Sequence, residues 1–452
     1  MVIELDVTAP IAPDLPVVER RARIPAGFLA GGRAAGIKAS GRPDLALVTV
    51  PGGASPAAAA AVFTPNAFAA APVRRSRASL RATGGWARAV VSTSGSANAA
   101  TGPAGDADQA RVGELVAGAL GIGADDVLHL STGIIGTRLP LDRVAAGLDA
   151  LVPALAATDD GLEAVAVALR TTDSVTKVAT VSVALPDDRG ELHDVRVSGT
   201  AKGVGMIHPR MATMLSVILT DAAASPELLA GILRPAAART WNQLSVDGDT
   251  STNDTVFVLA SGASPAAPVV ADSPAAAALA GAVEAVARDL ARQQAADGEG
   301  ATCLLSCQVT GAADAADARA VARAVISSSL VKAAAHGKDP NWGRIAGAAG
   351  NARLADAAVL EAAGLAADEA AARGGGPARL DPNRLRIAIA GHLVYDGEGG
   401  GPQTFDRAAA RAAMDAPEIV IRLDLGLGDG AGEAFGCDLT EAYVRENSEY
   451  TT

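Results

Sequence analysis

The chain has 452 residues, 49% of them hydrophobic and 3% aromatic, and its 38 Lys and Arg against 50 Asp and Glu give a formal charge of −12. A chain of this length can bury a core without disulfides, and its three cysteines are too few for a disulfide framework, so we expect a reducing compartment. The negative charge and the scarcity of aromatic side chains argue against a nucleic-acid partner.

The N-terminal part gives no sign of a membrane span or an export signal. Leu45–Val73 is a long uncharged run, but prolines and a Gly-Gly pair interrupt it, so it predicts two buried strands joined by a turn. Residues 1–24 are rich in proline and predict an N-terminal arm. Met1–Arg23 lacks a basic start followed by an apolar core, so no signal peptide is expected. We therefore expect a cytoplasmic protein without a membrane partner.

From Gly27 onward, short β-branched runs alternate with Ala-rich helical stretches, which is typical of an α/β protein. The predicted strands are Leu45–Val50, Ala89–Ser92, Val178–Val183, Leu215–Leu219, Thr255–Leu259, Leu304–Val309, Leu385–Ala390 and Glu418–Leu423. The predicted helices are Asp108–Leu120, Leu141–Leu155, Leu162–Arg170, Pro226–Arg239, Pro274–Ala295, Ala315–Ile326 and Phe405–Met414. Ala263–Pro274 and Arg373–Pro377 predict loops.

Common catalytic motifs are absent from the sequence. It contains no His-Glu-x-x-His, no Gly-x-Ser-x-Gly and no Walker loop. The histidines occur singly, and Cys303 and Cys307 share a strand face without further ligands nearby. Because structural zinc needs four ligands, no metal site is expected here.

Two polar segments stand out. Lys202–Leu215 combines a glycine-rich bend, a lysine and a threonine that opens an apolar strand. Asp247–Thr255 is a run of small and polar residues before the apolar Val256–Leu259. Each segment alone is compatible with a turn that caps a strand.

Together, the two segments closely resemble the ornithine acetyltransferase family, the self-processing bifunctional glutamate N-acetyltransferases of arginine biosynthesis. The resemblance continues in order along nearly the whole chain from Gly27. The further matching segments are Gly36–Arg42, Ser131–Gly136, Thr171–Asp173, Asp297–Thr302, His336–Arg344, Cys437–Thr440, Tyr443 and Asn447–Thr452. Their joint occurrence favours a functional interpretation over that of ordinary turns.

The resemblance implies a precursor that cleaves itself between Ala212 and Thr213, giving chains of residues 1–212 and 213–452. A glycine-rich bend can strain this peptide, so that the Thr213 hydroxyl attacks the Ala212 carbonyl and an N-to-O acyl shift gives an ester that water opens. The new Thr213 amine, with an unperturbed pKa of about 7.7–8.0, can then act as the base for its own hydroxyl. A separate Ser/His/Asp set is therefore not needed.

The implied reaction is ping-pong transfer of an acetyl group from N2-acetyl-L-ornithine through acetyl-Thr213 to L-glutamate, with neither a metal nor an organic cofactor. Some family members also accept acetyl-CoA. The resemblance places an oxyanion hole at Thr132 and Gly133. It implies substrate contacts at Thr172, Lys202, Thr213, Glu299, Asn447 and Thr452.

The implied fold is α/β (α+β), an α-β-β-α sandwich with a smaller C-terminal α/β domain. We expect the arm over residues 1–24, a catalytic domain over 25–310, and a smaller domain over 311–452 whose C-terminal tail returns to the active site. Members of the family assemble as α2β2 heterotetramers, which implies the same assembly here.

Some residues near the implied site depart from the family pattern, and other functions remain open. His208 stands where alanine is common, Arg210 where asparagine is common, and Cys303 where lysine is usual. Donor and acceptor preference is therefore open, as is an acyltransferase of a specialised pathway with another acyl-amino acid donor. An amidohydrolase or aminopeptidase with an N-terminal nucleophile, or an unprocessed binding protein, are the alternatives from other classes.

Overall fold

A computed structural model describes residues 15–208 and 214–448 of the chain. Its strands are β1 (Leu29–Arg33), β2 (Leu45–Thr49), β3 (Ala57–Phe63), β4 (Trp86–Ala87), β5 (Ala89–Ser96), β6 (Val127–Ile134), β7 (Lys177–Pro186), β8 (Leu192–Lys202), β9 (Leu215–Thr220), β10 (Leu244–Ser245), β11 (Thr255–Ala260), β12 (Leu304–Ala312), β13 (Arg386–Ile389), β14 (His392–Asp396), β15 (Gly401–Pro402), β16 (Glu418–Asp424) and β17 (Gly430–Cys437).

The described residues also form α-helices. They are α1 (Ala71–Thr83), α2 (Gly102–Leu120), α3 (Leu141–Leu151), α4 (Asp159–Leu169), α5 (Pro226–Arg239), α6 (Pro274–Ala296), α7 (Ala315–Ser327), α8 (Ser329–His336), α9 (Trp342–Gly350), α10 (Ala357–Ala362), α11 (Ala367–Arg373), α12 (Arg407–Ala413) and α13 (Glu441–Ser448). Five of them, α7 to α11, follow one another between β12 and β13. Single turns of 3-10 helix lie at Ala124–Asp126, Val152–Ala154 and Trp241–Gln243.

Two sheets pack against each other. The first has the strand order β1-β2-β5-β6 and the second has the order β4-β3-β11-β9-β8-β7. Strands β5 and β6 are parallel, as are β9 and β11, while the other neighbours in these two sheets are antiparallel. The ends of β6 and β8, which carry candidate site residues, thus belong to different sheets.

The strand sequences explain this layering. In β2, Leu45 and Leu47 pack with helices α2 and α3, whereas Ala46 and Val48 pack in the core between the two sheets. Successive side chains of a strand point to opposite faces, so an apolar strand such as β2 is buried on both sides. Phe257 of β11 enters the same inter-sheet core. Helices α5 and α6 cover the outer face of the second sheet, which completes an α-β-β-α arrangement.

A third sheet forms a further α/β layer. Its order is β10-β17-β12-β16-β13-β14-β15. Helices α7 and α9 pack on one face, and Phe435 and Cys437 of β17 join the core that contains α6 on the other face. Helix α6 is therefore shared between the second and third sheets, which fixes the residues that follow it against both.

The predicted fold class, an α-β-β-α sandwich with a further α/β part in the C-terminal region, is confirmed. Pro226–Arg239 is helical to both predicted ends, because Ser225 accepts a hydrogen bond from the Leu228 amide and Pro226 suits the first turn. The predicted helix Leu141–Leu155 is too long: α3 ends at Leu151, and Pro153 in the next turn has no amide hydrogen to continue it. In the described part of the chain, every helix is too short or too polar to cross a bilayer.

Candidate active site

Most of the implied site residues meet at one cavity of about 290 Å³. Six of them line it, although they come from segments far apart in the sequence: Thr132, Gly133, Thr172, Lys202, Glu299 and Asn447. The cavity lies where the ends of β6 and β8 meet the loop after α6 and helix α13. The implied residues Ala212, Thr213 and Thr452 lie outside the described residues.

Lys202 and Thr132 are joined directly. Lys202 is the last residue of β8, and its Nζ donates a hydrogen bond of 2.9 Å to Oγ1 of Thr132 near the end of β6. Because Lys202 donates to this oxygen, the hydroxyl hydrogen of Thr132 remains available to donate elsewhere. Burial lowers the pKa of Lys202, and Lys177 adds to this, while Asp173 and Glu299 raise it.

Gly133 occupies a position that excludes a side chain. Its φ is +128°, and a Cβ atom there would lie 2.4 Å from the carbonyl carbon of Gly95 on the neighbouring strand. Glycine adopts such a backbone conformation readily, whereas other residues do not. The end of β6 therefore lies against β5 with the Gly133 backbone in the cavity lining.

Glu299 is the carboxylate of the cavity and is 8% exposed. Its Oε1 accepts a hydrogen bond of 2.8 Å from the Thr172 hydroxyl, and its Oε2 accepts one of 2.9 Å from the Asn447 side-chain amide. Gly205 lies so close that a Cβ atom there would be 2.1 Å from Glu299 Oε2. The glycine-rich bend that starts at Gly203 thus makes room for the Glu299 side chain.

A buried cluster of charged side chains lies next to the segments that carry Thr172 and Glu299. Lys177 is fully buried, and its Nζ lies 2.8 Å from Asp173 Oδ1 and 2.6 Å from Asp297 Oδ2. Asp173 also accepts a hydrogen bond of 2.9 Å from the Gly203 amide. Burial alone would raise the pKa of Asp173, but Lys202 and Lys177 outweigh it and lower the pKa to about 2. Asp173 directly follows Thr172, and Asp297 lies two residues before Glu299. The ion pairs of Lys177 therefore hold the segments that carry Thr172 and Glu299 in place.

Asn253, from the polar run before β11, links two strand ends of the first sheet. Its side-chain amide donates hydrogen bonds of 2.7 Å to the Ala97 carbonyl and 2.8 Å to the Ser131 carbonyl. Both carbonyls lie next to the cavity, which Ala97 and Asn253 also line. Asn253 therefore fixes the backbone immediately before Thr132.

The bend before residue 209 is anchored by Asp247. Its carboxylate accepts hydrogen bonds from the backbone amides of Met206 and Ile207, the latter at 2.9 Å. Met206 has a φ of 51°, which is unfavourable for a side chain of its type. Burial raises the pKa of Asp247, although these backbone hydrogen bonds oppose the shift. The Asp247 carboxylate therefore holds the strained backbone of this turn in place.

Strand β9 begins beside a residue that lines the cavity. Leu215, the first residue of β9, pairs with Lys202 of β8 on one side and with Thr255 of β11 on the other. Lys202 lines the cavity. The register of β9 therefore brings the chain, two residues after Thr213, to the strand that carries Lys202.

Two of the three departures from the family pattern, His208 and Cys303, belong to the described residues and lie outside the cavity lining. His208 Nδ1 lies 3.0 Å from the Ser245 hydroxyl, and the His208 carbonyl accepts a hydrogen bond from the Thr250 hydroxyl. Cys303 is buried, and burial raises the pKa of its thiol to about 11. A thiol of such pKa is protonated near neutral pH and is a poor nucleophile. Arg210 lies outside the described residues.

The sequence motifs indicated the region, but five supporting residues were missed: Asp173, Lys177, Asp247, Asn253 and Asp297. Asp173 and Asp297 lie within matched segments, and Asp247 and Asn253 lie in the polar run, so each had a local signal. Lys177 had none, because a lysine at the start of an apolar strand usually faces solvent. The cavity combines an ammonium, a carboxylate and a hydroxyl donor, which suits a small zwitterionic ligand and stabilisation of a developing oxyanion.

Comparisons with known proteins identify the family of this chain. The model of the ArgJ family matches residues 29–452. "Arginine biosynthesis bifunctional protein ArgJ" of Thermus thermophilus is 45% identical over 439 residues, covering 95% of this chain and 99% of the relative. The protein of the same name from Synechocystis is 42% identical, covering 97% of this chain and all of the relative.

A solved structure of the Bacillus halodurans arginine biosynthesis bifunctional protein has 37% identity to this chain. It matches with a TM-score of 0.45, over 52% of this chain and 99% of the solved chain. The family match covers far more than half of the sequence, and the two curated relatives are covered almost completely. The chain belongs to the ArgJ family.

Proposed function

We propose that this protein is an acetyltransferase of arginine biosynthesis, which transfers an acetyl group from N2-acetyl-L-ornithine to L-glutamate. The printed name of its curated relatives supports the pathway. The observation that carries the proposal is the convergence of Thr132, Lys202 and Glu299 on one cavity beside the start of β9. These groups supply the charges and the hydroxyl donor that acetyl transfer between two amino acids needs.

The first step is self-cleavage of the precursor. The Thr213 hydroxyl oxygen attacks the Ala212 carbonyl carbon, and the peptide C–N bond breaks as its nitrogen takes up a proton. Water then hydrolyses the resulting ester, which leaves a carboxylate on Ala212 and a free hydroxyl and amine on Thr213. The strained turn at Met206, held by Asp247, supports this step because it constrains the chain just before the bond.

Acetyl transfer then follows in two half-reactions at Thr213. Its amine takes the hydroxyl proton while the oxygen attacks the acetyl carbonyl carbon of the donor. Ornithine leaves as the amide C–N bond breaks and its nitrogen is protonated. The amine of glutamate next attacks acetyl-Thr213, loses a proton, and departs as N-acetyl-L-glutamate, so the Thr213 hydroxyl is restored.

The other cavity residues have complementary roles in this scheme. The Thr132 hydroxyl and the Gly133 amide stabilise the oxyanion of each tetrahedral intermediate. Glu299 pairs with a substrate ammonium, with Thr172 and Asn447 holding its two oxygens. Lys202 orients Thr132 and attracts substrate carboxylates. The C-terminal Thr452 adds a further substrate contact.

Three broader features belong to the same proposal. The word "bifunctional" in the relatives' name supports acetyl-CoA as a second acetyl donor. The mature chains 1–212 and 213–452 assemble as an α2β2 heterotetramer in the cytoplasm. The arm, catalytic domain and smaller domain divide at residues 24 and 310.

Acetate and N-acetylglutamate measured with and without glutamate separate transfer from hydrolysis. With N2-acetyl-L-ornithine and glutamate, we expect N-acetylglutamate and ornithine in equal amounts. Without glutamate, ornithine release should stop after about one equivalent of Thr213 is acetylated. Continued release of acetate at an unchanged rate would instead favour an amidohydrolase.

A further inference from the structure

A second cavity, of about 240 Å³, lies between helices α5, α7 and α10. Its described lining shares no residue with the candidate active site. Three arginines line it, Arg319, Arg323 and Arg353, with Asp356 as the one acidic side chain among the described lining residues. The cavity is therefore electropositive within a protein whose net charge is −12.

Arg319 is the central feature of this cavity. It is partly buried on α7, and the described residues offer its guanidinium neither a hydrogen bond nor an ion pair. Burial lowers the pKa of Arg319, and neighbouring Arg239 adds to this. A partly buried guanidinium loses contacts with water. Because no hydrogen bond or ion pair from the described residues compensates for this loss, binding of an anion is favoured.

The two acidic residues that attract Arg319 electrostatically already form ion pairs with other arginines. Glu284 pairs with Arg239 through both oxygens. Asp314 pairs with Arg373 at 2.6 Å and also with Arg379. Both carboxylates attract Arg319 from a distance but form their contacts with these other arginines. An anion from outside the chain would be the direct partner of Arg319.

Gln243 offers the complementary group. Its side chain is 7% exposed and lines the same cavity, and its Oε1 is buried without a hydrogen-bond partner among the described residues. Its amide nitrogen is 3.4 Å from the Ala238 carbonyl, which orients the carboxamide. A buried carbonyl oxygen of this kind favours a ligand that brings an N–H or O–H donor.

We propose that this cavity is a second small-molecule site that binds a free α-amino acid, with the carboxylate of the ligand on Arg319 and its ammonium on Gln243. Ala238, Ala316 and Leu360 supply apolar walls for the side chain of the ligand. An α-amino acid is a small molecule that carries both groups on one carbon. The site is independent of the acetyl-transfer proposal, because it uses other residues.

Isothermal titration calorimetry of the full chain tests the site. The probes are the twenty common L-α-amino acids, with succinate and inorganic phosphate as anions without an ammonium group. The Lys202→Ala variant serves as the background, since it weakens binding at the candidate active site. We expect at least one amino acid to bind this background, and to bind more tightly than succinate or phosphate.

Replacement of Arg319 by glutamine should then weaken this binding. Arg319→Gln in the same background is expected to weaken it about tenfold or more, because a charge-assisted contact is lost. Gln keeps part of the aliphatic stem that packs on Gly432 of β17. Arg319→Lys, which retains the charge, is the second variant should Arg319→Gln not fold. Arg411→Gln, at an exposed position of α12, is the matched control and should bind as tightly as the background.

Three results would overturn the proposal. One is that no amino acid binds the Lys202→Ala background. Another is that Arg319→Gln, folded by circular dichroism, binds as tightly as the Arg411→Gln control. The third is that phosphate or succinate binds at Arg319 and no amino acid does, which would leave a simple anion site.

Discussion

The hydrogen bond between Lys202 and Thr132 fixes the position of a hydroxyl in the cavity lining. Lys202 Nζ donates to Thr132 Oγ1 at 2.9 Å, and this leaves the hydroxyl hydrogen free. Asn253 holds the carbonyl of the preceding residue, Ser131. The position of the hydroxyl is therefore set before substrate binds, as the proposed role of Thr132 in the oxyanion hole requires.

Replacement of Thr132 by valine should reduce the steady-state rate of acetyl transfer about 10²–10³-fold, since one oxyanion donor is lost. Ornithine release from N2-acetyl-L-ornithine in the presence of glutamate gives this rate. Thr83→Val, on α1 and outside the cavity lining, is the matched control and should leave the rate within about twofold. A Thr132→Val rate equal to that of the control would exclude an oxyanion role.

Asp173 gives the protein a defined dependence of stability on pH. Its pKa is about 2 in the folded chain against 3.8 ordinarily, so it stabilises the fold above about pH 4, and the stabilisation disappears as the pH falls toward 2. The difference corresponds to roughly 2 kcal/mol. Between about pH 5 and pH 2, urea unfolding should show wild type losing that much more stability than Asp173→Asn. Parallel curves for the two proteins would refute the lowered pKa.

At the scale of elements, the site is built from strand ends and the bends that follow them. Strand β8 brings Lys202 to the cavity, β6 brings Thr132, and β9 starts directly opposite Lys202. Both parallel pairs, β5–β6 and β9–β11, have an end at this place. Polar residues concentrate there because strand ends have backbone groups without partners in the sheet, and side chains can form hydrogen bonds with them.

Loss of the Asp247 carboxylate should slow self-cleavage. Asp247→Ala removes the acceptor of the Met206 and Ile207 amides, so the bend before the proposed cleavage site can relax. We expect about tenfold or slower conversion of precursor to two chains on a denaturing gel. Asp249→Ala, at an exposed neighbour, should process at the wild-type rate. Equal rates for the two variants would show that the anchored bend has no part in cleavage.

Secondary structure could be predicted where local signals agree with packing. Helix α5 carries its cap and its first-turn proline in sequence, and β11 is apolar on both faces. Strand β1, with the sequence Leu-Ala-Gly-Gly-Arg, carries no such signal and forms because it pairs with β2. Helices α10 and α11 both precede the predicted loop at Arg373–Pro377, with Arg373 as the last residue of α11, and they lack a strong apolar period.

The site could be predicted only in part for a related reason. The resemblance to the ornithine acetyltransferase family named the residues that line the cavity, such as Thr132 and Glu299. The support from Lys177 depends on two segments that meet only in the folded chain: the one that holds Asp173 and Lys177, and the one that holds Asp297. No spacing in the sequence reveals such a contact.

At the scale of the whole molecule, two features bear on the proposed function: the net charge and the proposed cleavage of the chain in two. The chain carries a net charge of −12, and the proposed acceptor, glutamate, is itself an anion. Lys202 must therefore create a local attraction inside a repulsive overall field. The proposed cleavage divides the molecule within the stretch that leads into β9, a central strand of the second sheet. The two chains would remain joined by that sheet.

Intact-mass measurement of the purified wild type and of Thr213→Ala tests the central claim most directly. We predict two masses for the wild type, corresponding to residues 1–212 and 213–452, and one mass near 44.8 kDa for Thr213→Ala. An uncut wild type, a wild type cut at another bond, or a Thr213→Ala variant that still separates into two chains would contradict the assignment of Thr213 as the nucleophile.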